Sequence, residues 1–187
     1  MKKVKVVFLD RDGVINKYPG DFKYVTSVKE FKLLPGVKPA LEKLIAAGYK
    51  LFIVSNQAGV SKGLYTLEAL EDINKVLIEK LGKEVKLSGI FYCIHRAEEN
   101  CACRKPRTGL IDQVFADFDK RGIEIDRRNS YFVGDSIIDV ETGQAAGLRT
   151  ILVFSGREKP ENQLNWNRVP DYKAAGLPGA VKIITSL

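Results

Sequence analysis

Soft and redox-active side chains are scarce in this 187-residue sequence, which has one histidine, one methionine, one tryptophan and three cysteines. Three thiols crowded between positions 93 and 103 are too few, and too close together, to staple a fold through disulfides. Long hydrophobic runs are missing too. The amino terminus, M-K-K-V-K-V-V-F-L-D-R-D, offers four consecutive apolar residues before charge returns, too short for a signal-peptide core. Nothing elsewhere approaches the roughly 20 apolar residues of a membrane-crossing helix. A cytoplasmic protein without membrane attachment is the expectation. There is no internal repeat, low-complexity run or linker, so residues 1–187 are expected to form a single domain, acting as a monomer. Lysine and arginine exceed aspartate and glutamate by 30 to 23, a net charge of +7 that favours anionic partners. The basic residues form no arm or run, which argues against a nucleic-acid groove.

What is present is organised around Val4 to Asn16, V-K-V-V-F-L-D-R-D-G-V-I-N. Val4, Val6, Val7, Phe8 and Leu9 are residues of the kind found in a strand buried on both faces. Asp10 then falls at the strand's carboxyl end, where ligands bind in open α/β sheets. Asp12 follows two residues later, and Gly13 lets the chain bend away. Two carboxylates this close cannot both stay ionised cheaply unless a cation lies between them or one holds a proton. A divalent metal would keep Asp10 nucleophilic, while Asp12 could carry a proton to and from a leaving group.

The rest alternates between helical and strand periods. Lys17 to Leu34 reads as a loop rich in aromatics, suited either to a flap over the strand end or to a packed surface loop. Val37, Leu41, Leu44 and Ile45 predict a helix ending before Gly48, and Lys50 to Val54 a second strand, leading into Ser55-Asn56-Gln57. A hydroxyl and two amides at a strand tip can hold phosphate and sugar oxygens without adding charge. Leu67, Leu70, Ile73, Leu77 and Leu81 predict the core face of a helix over 66–81. Further strands are expected at 89–94, 131–133 and 150–154, and helices at 109–121, 137–146 and 178–184. The region 155–170 reads as polar and turn-rich. The pattern predicts an α/β fold with a doubly wound, mainly parallel sheet.

Two clusters carry chemistry. Cys93, His95, Cys101 and Cys103 supply three thiolates and the chain's single imidazole, the donor set of a closed tetrahedral zinc site with a structural role. Arg104 and Lys105 follow the last of these residues directly, placing two cations beside a metal-clamped loop. Gly134-Asp135 repeats the pattern of the first strand. If the two strands are neighbours, Asp10 and Asp135 face one crevice and can share magnesium, a cation that takes oxygen ligands. Asp139, one helical turn on, could reach that metal through water or orient Lys105.

These residues resemble the haloacid dehalogenase superfamily of phosphohydrolases, whose four motifs match in order: Asp10-Arg11-Asp12-Gly13-Val14, Ser55, Lys105, and Gly134-Asp135 with Asp139. The resemblance implies a Rossmann-like fold with a minimal cap. It implies that Asp10 attacks phosphorus, that Asp12 serves as acid and base, that Ser55 and Lys105 hold the phosphoryl oxygens, and that Asp10, Asp12 (through its carbonyl) and Asp135 bind magnesium. F-L-D-R-D-G-V-I-N, S-N-Q-A-G-V-S-K-G and the C-x-H…C-x-C-R-K-P loop are similar to a zinc-bearing branch that contains heptose bisphosphate 7-phosphatases and histidinol-phosphate phosphatases. By that similarity the partner is a small phosphorylated sugar, contacted by Asn56, Gln57, Arg104 and Ser136. Histidinol phosphate, a DNA 3′-phosphate end and non-catalytic phosphate binding are the alternatives.

Overall fold

The computed structural model describes residues 3–186. Its elements run β1 (Lys3–Val4), β2 (Val6–Leu9), α1 (Val37–Ala46), β3 (Lys50–Asn56), α2 (Leu67–Leu81), β4 (Gly89–Cys93), α3 (Gly109–Lys120), β5 (Glu124–Ile125), β6 (Tyr131–Gly134), α4 (Ile137–Ala145), β7 (Arg149–Val153), β8 (Tyr172–Ala174) and α5 (Leu177–Ser186). Six strands form one sheet in the order β4-β3-β2-β6-β7-β8, with every neighbouring pair parallel. This is the doubly wound α/β architecture expected from the alternation of periods.

β2 lies inside the sheet with all four residues buried, and its side chains serve two cores by turns. Val7 and Leu9 join residues of α1, α2 and α5 on one face. Val6 and Phe8 join α3 on the other, where Phe8 stacks between Phe52 and Phe132 and meets the edge of Phe115. Burial of one such side chain is worth roughly 1.5–3 kcal/mol.

The single strand expected from Val4 is divided at Lys5, where the chain changes partners. The Val4 carbonyl accepts from the Asp126 N–H beside β5, whereas the Lys5 carbonyl accepts from the Lys50 N–H at the start of β3. Apolar, extended residues on both sides of Lys5 give no local sign of the switch. β5 and β8 are likewise additions to the expected elements. Each is two or three residues long, too short for alternation to register.

α2 shows how packing outweighs local signals. The Thr66 side chain accepts from the Ala69 N–H at 3.1 Å, a cap worth about 1 kcal/mol. Leu70, Ile73, Leu77 and Leu81 are buried and together contribute several times that. Leu67, read from spacing as core, is instead 42% exposed at the first turn of the helix. None of the described helices is long and apolar enough to cross a membrane.

Candidate active site

Register brings the chemistry together. Leu9 is level with Ile53 on one side and Val133 on the other, so Asp10 ends β2 beside Val54 and Gly134, with Ser55 and Asp135 one residue further along their strands. The Asp10 N–H continues the ladder to the Val133 carbonyl at 3.0 Å. A cavity of about 160 Å³ opens above these tips, with Asp10, Asp12, Ser55, Lys105, Asp135 and Asp139 among its lining. The 17–34 loop walls one side through Tyr18, Pro19, Lys23 and Tyr24. Arg104, Ser136 and Arg157 complete the rim.

Lys105 is the electrostatic centre of the floor. Its Nζ lies 2.6 Å from Asp139 Oδ1 and 3.1 Å from Asp10 Oδ1, and donates to the Val54 carbonyl at 3.0 Å. Burial works against the charged ammonium, but the Asp10 and Asp139 carboxylates outweigh it and hold the lysine pKa above its ordinary value. Asp139 Oδ2 accepts from both the N–H and hydroxyl of Ser136, closing the cap of α4. Both Asp139 oxygens are thus engaged, which favours orienting Lys105 over reaching a metal.

The two neighbouring aspartates are pushed apart in proton affinity. Burial raises Asp10 to about 6; Lys105 opposes the rise, and the Asp139 and Asp12 charges add to it. Burial also pushes Asp12 up, but the Arg11 guanidinium and the Asn16 and Gln57 amides overcome it and hold that carboxyl below its usual range. Arg11, 1% exposed, donates through Nη2 to both Asp12 oxygens. Asn16 Nδ2 adds a bond of 2.8 Å and Gln57 Nε2 one of 3.0 Å. Among protein groups alone, Asp12 therefore keeps its charge more readily than Asp10, and Asp10 is the carboxylate that a cation would relieve.

Asp10, Asp135 and Asp139 each offer an oxygen within 4.8 Å of the others. Burial pushes the Asp135 pKa well above the carboxylate norm, and the Asp10 and Asp139 charges push it further. Its Oδ2 accepts from the Arg157 N–H at 2.7 Å. Gly13 and Gly156 both press their backbones onto this carboxylate, and a β-carbon at either would collide with it. Hard oxygen donors whose burial and mutual repulsion favour a cation between them fit magnesium.

The loop after β4 folds back on itself so that Cys93, His95, Cys101 and Cys103 converge. His95 Nδ1 lies 3.5 Å from Cys93 Sγ and 3.2 Å from Cys103 Sγ, and the three sulfurs are 3.1–3.5 Å apart. Ligands of tetrahedral zinc at about 2.3 Å stand about 3.8 Å from one another, so the cluster is slightly tighter than a filled site and has its shape. Asn56 ties this loop to the sheet: its Nδ2 donates to the Lys105 carbonyl and its Oδ1 accepts from the Lys105 N–H, both at 3.1 Å.

Comparison with known proteins decides the family. Residues 5–147 match the family model described as polynucleotide kinase 3 phosphatase. The chain belongs to this phosphatase family, within the haloacid dehalogenase superfamily. It is similar to the D-glycero-D-manno-heptose-1,7-bisphosphate 7-phosphatase of Chlorobaculum tepidum, at 36% identity over 97% of this chain and 94% of that one. The D-glycero-beta-D-manno-heptose-1,7-bisphosphate 7-phosphatase of Helicobacter pylori is 35% identical over 92% and 96%. Among solved structures, D,D-heptose 1,7-bisphosphate phosphatase from B. bronchiseptica, complexed with magnesium and phosphate, superposes with a TM-score of 0.86 at 28% identity, covering 98% and 99% of the two chains.

In this haloacid dehalogenase phosphatase, two of the side chains read as substrate contacts are engaged elsewhere. Asn56 lines the cavity while its amide holds the Lys105 backbone as described, and Gln57, 1% exposed, bonds Asp12, Ser55 and Tyr65. Ser136 reaches the rim, but its hydroxyl caps α4. Arg157, in the loop four residues beyond the end of β7, escaped the sequence reading although it lines the cavity and its N–H holds Asp135. The strand-tip rule that singled out Asp10, Ser55 and Asp135 applies equally to Ser155-Gly156-Arg157.

Proposed function

We propose that this phosphatase hydrolyses the 7-phosphate of D-glycero-D-manno-heptose 1,7-bisphosphate through an aspartyl-phosphate on Asp10. The observation that carries this choice is the distribution of charge. Every carboxylate lining the cavity belongs to its floor, whereas the wall and rim offer Lys23, Arg104 and Arg157. A substrate with a second phosphate away from the reacting one would meet these cations, of which Arg157 also pairs with Asp21 at 3.4 Å and Arg104 donates to the His95 carbonyl at 3.2 Å. Histidinol phosphate would bring an ammonium to the same cations. The names of the relatives support the bisphosphate.

In this reading, Asp10 attacks phosphorus in line, with Lys105 and the Ser55 hydroxyl holding the phosphoryl oxygens. Asp12 protonates the departing sugar oxygen, then takes the proton of the water that releases phosphate. Asp139 keeps Lys105 aimed at the floor, and Asn56 keeps the Lys105 backbone in register with β3. Asp10 and Asp135, with the Asp12 backbone carbonyl, would hold magnesium, which when bound neutralises negative charge spread over the phosphoryl group. Cys93, His95, Cys101 and Cys103 would hold zinc as a structural clamp on the loop that delivers Arg104 and Lys105.

Initial rates with magnesium on both anomers of the heptose bisphosphate, on histidinol phosphate and on a 3′-phosphorylated oligonucleotide test the assignment. A kcat/KM at least about tenfold higher for one bisphosphate anomer is expected, from the loss of a charge-assisted contact in the other substrates. Faster turnover of histidinol phosphate or of the oligonucleotide would overturn it. No turnover, with inorganic phosphate still bound, would mark a binding module.

A further inference from the structure

Behind the cavity lies a hydrogen-bonded chain, Tyr65 to Gln57, that reaches two residues of its lining, Asp12 and Ser55. Tyr65, in the segment between β3 and α2, is 8% exposed, and its hydroxyl meets Gln57 Oε1. The Gln57 amide nitrogen carries two hydrogens and has two partners, Asp12 Oδ2 at 3.0 Å and Ser55 Oγ at 2.9 Å. The amide nitrogen faces Asp12 and Ser55 and the amide oxygen faces Tyr65, the arrangement that an ionised Asp12 accepts. With the amide so placed, Tyr65 must donate. Ser55 Oγ receives the other amide hydrogen, which leaves its own hydrogen to be donated into the cavity that the residue lines.

We propose that Tyr65 and Gln57 are positioning residues for the reaction, aiming the Asp12 carboxylate and the Ser55 hydroxyl at the same phosphate ester. The inference rests on the phosphatase reading above. The Tyr65 ring is itself held: it packs so closely on Gly59 that a β-carbon there would collide with it, and it lies 6.1 Å from the ring of Tyr24, part of the cavity wall. Thr66, the next residue, caps α2, so the hydroxyl is anchored to the start of a long, well-packed helix. A tyrosine that served packing alone would have no need to bond the one glutamine whose two amide hydrogens go to an acid and a hydroxyl of the site.

In the first half-reaction the Asp10 oxygen–phosphorus bond forms, the ester phosphorus–oxygen bond breaks, and the Asp12 proton passes to the departing oxygen. In the second, water bonds to phosphorus, the Asp10 bond breaks, and the proton of that water returns to Asp12. Misaiming Asp12 removes help that a sugar alkoxide requires and a nitrophenolate does not.

The test is leaving-group selectivity in Tyr65→Phe, with thermal melting confirming the fold and Gln57→Met as the second variant. For Tyr65→Phe, kcat/KM, which reports only the first half-reaction, should fall about tenfold on the heptose 7-phosphate ester and by less than about twofold on 4-nitrophenyl phosphate. Gln57→Met should widen the gap to about a hundredfold, within the range that positioned acid catalysis supplies. Equal losses on both substrates in both variants, or rates equal to wild type, would overturn the positioning role while leaving the phosphatase reading intact. Wild-type protein that turned over neither substrate would overturn that reading and this inference with it.

Discussion

Lys105 and Asp139 form an ion pair of 2.6 Å in which the two side chains are 3% and 1% exposed, linking the loop after β4 to the first turn of α4. Two charges so far from water are tolerated because each keeps further partners: the ammonium has Asp10 and the Val54 carbonyl, and the carboxylate has Ser136. Removing one member costs the other its nearest partner. Asp139→Ala is expected to destabilise the fold by about 1.5–3 kcal/mol, the loss of a charge-assisted hydrogen bond, since Lys105 keeps Asp10 and the Val54 carbonyl. Urea unfolding at pH 7 measures it, and a loss below about 1 kcal/mol would show the pair to be dispensable.

Asp10→Asn should lower turnover by a factor of about 10⁴ or more, as loss of a nucleophile does, with a circular dichroism spectrum and melting curve close to wild type. Asp10 is at the end of β2 and not within it, so strand pairing does not depend on its charge. Activity near wild type in this variant would remove Asp10 from the centre of the mechanism.

The cysteine cluster makes a separate prediction, because it acts on catalysis only through the loop. Cys101→Ser should abolish stoichiometric zinc by elemental analysis and lower Tm by about 5–10 °C, or about 2–3 kcal/mol at roughly 2–4 °C per kcal/mol for a chain of this size. Limited proteolysis should then cut within 93–106. Full zinc content in the variant would rule the residue out as a ligand.

Acid stability should depend on Asp126, remote from the site. The Asn129 side-chain amide and N–H hold its carboxyl below the ordinary range. A depressed folded-state pKa stabilises the protein above the unfolded value of about 3.9, and that contribution disappears as pH falls through the folded value. Asp126→Ala should therefore lower Tm at pH 7 and leave it unchanged near pH 2. An equal deficit at both would show that the shift plays no part.

Much of this was legible because local pattern and chemistry coincided. Apolar runs ending on Asp10, Ser55 and Asp135 marked strand tips, and the only histidine lay among the only cysteines. Other features left no local trace. Leu67 kept helical spacing and yet is 42% exposed, since periodicity marks a face of a helix and not which of its turns are covered. Gln57 was a polar residue at a strand tip, and nothing nearby in sequence indicated that it would turn inward to Tyr65 and Asp12.

From its sequence alone the chain had determined the alternation of strands and helices, the resemblance to the family's motifs and the grouping of three thiols with one imidazole, because side-chain type and short-range period act within a few residues. Tertiary structure decided the rest: β2 between β3 and β6, Arg157 beside Asp135, and Tyr65 behind Gln57. Those neighbours depend on hydrogen-bond register and packing between segments far apart in the chain, which no local period encodes.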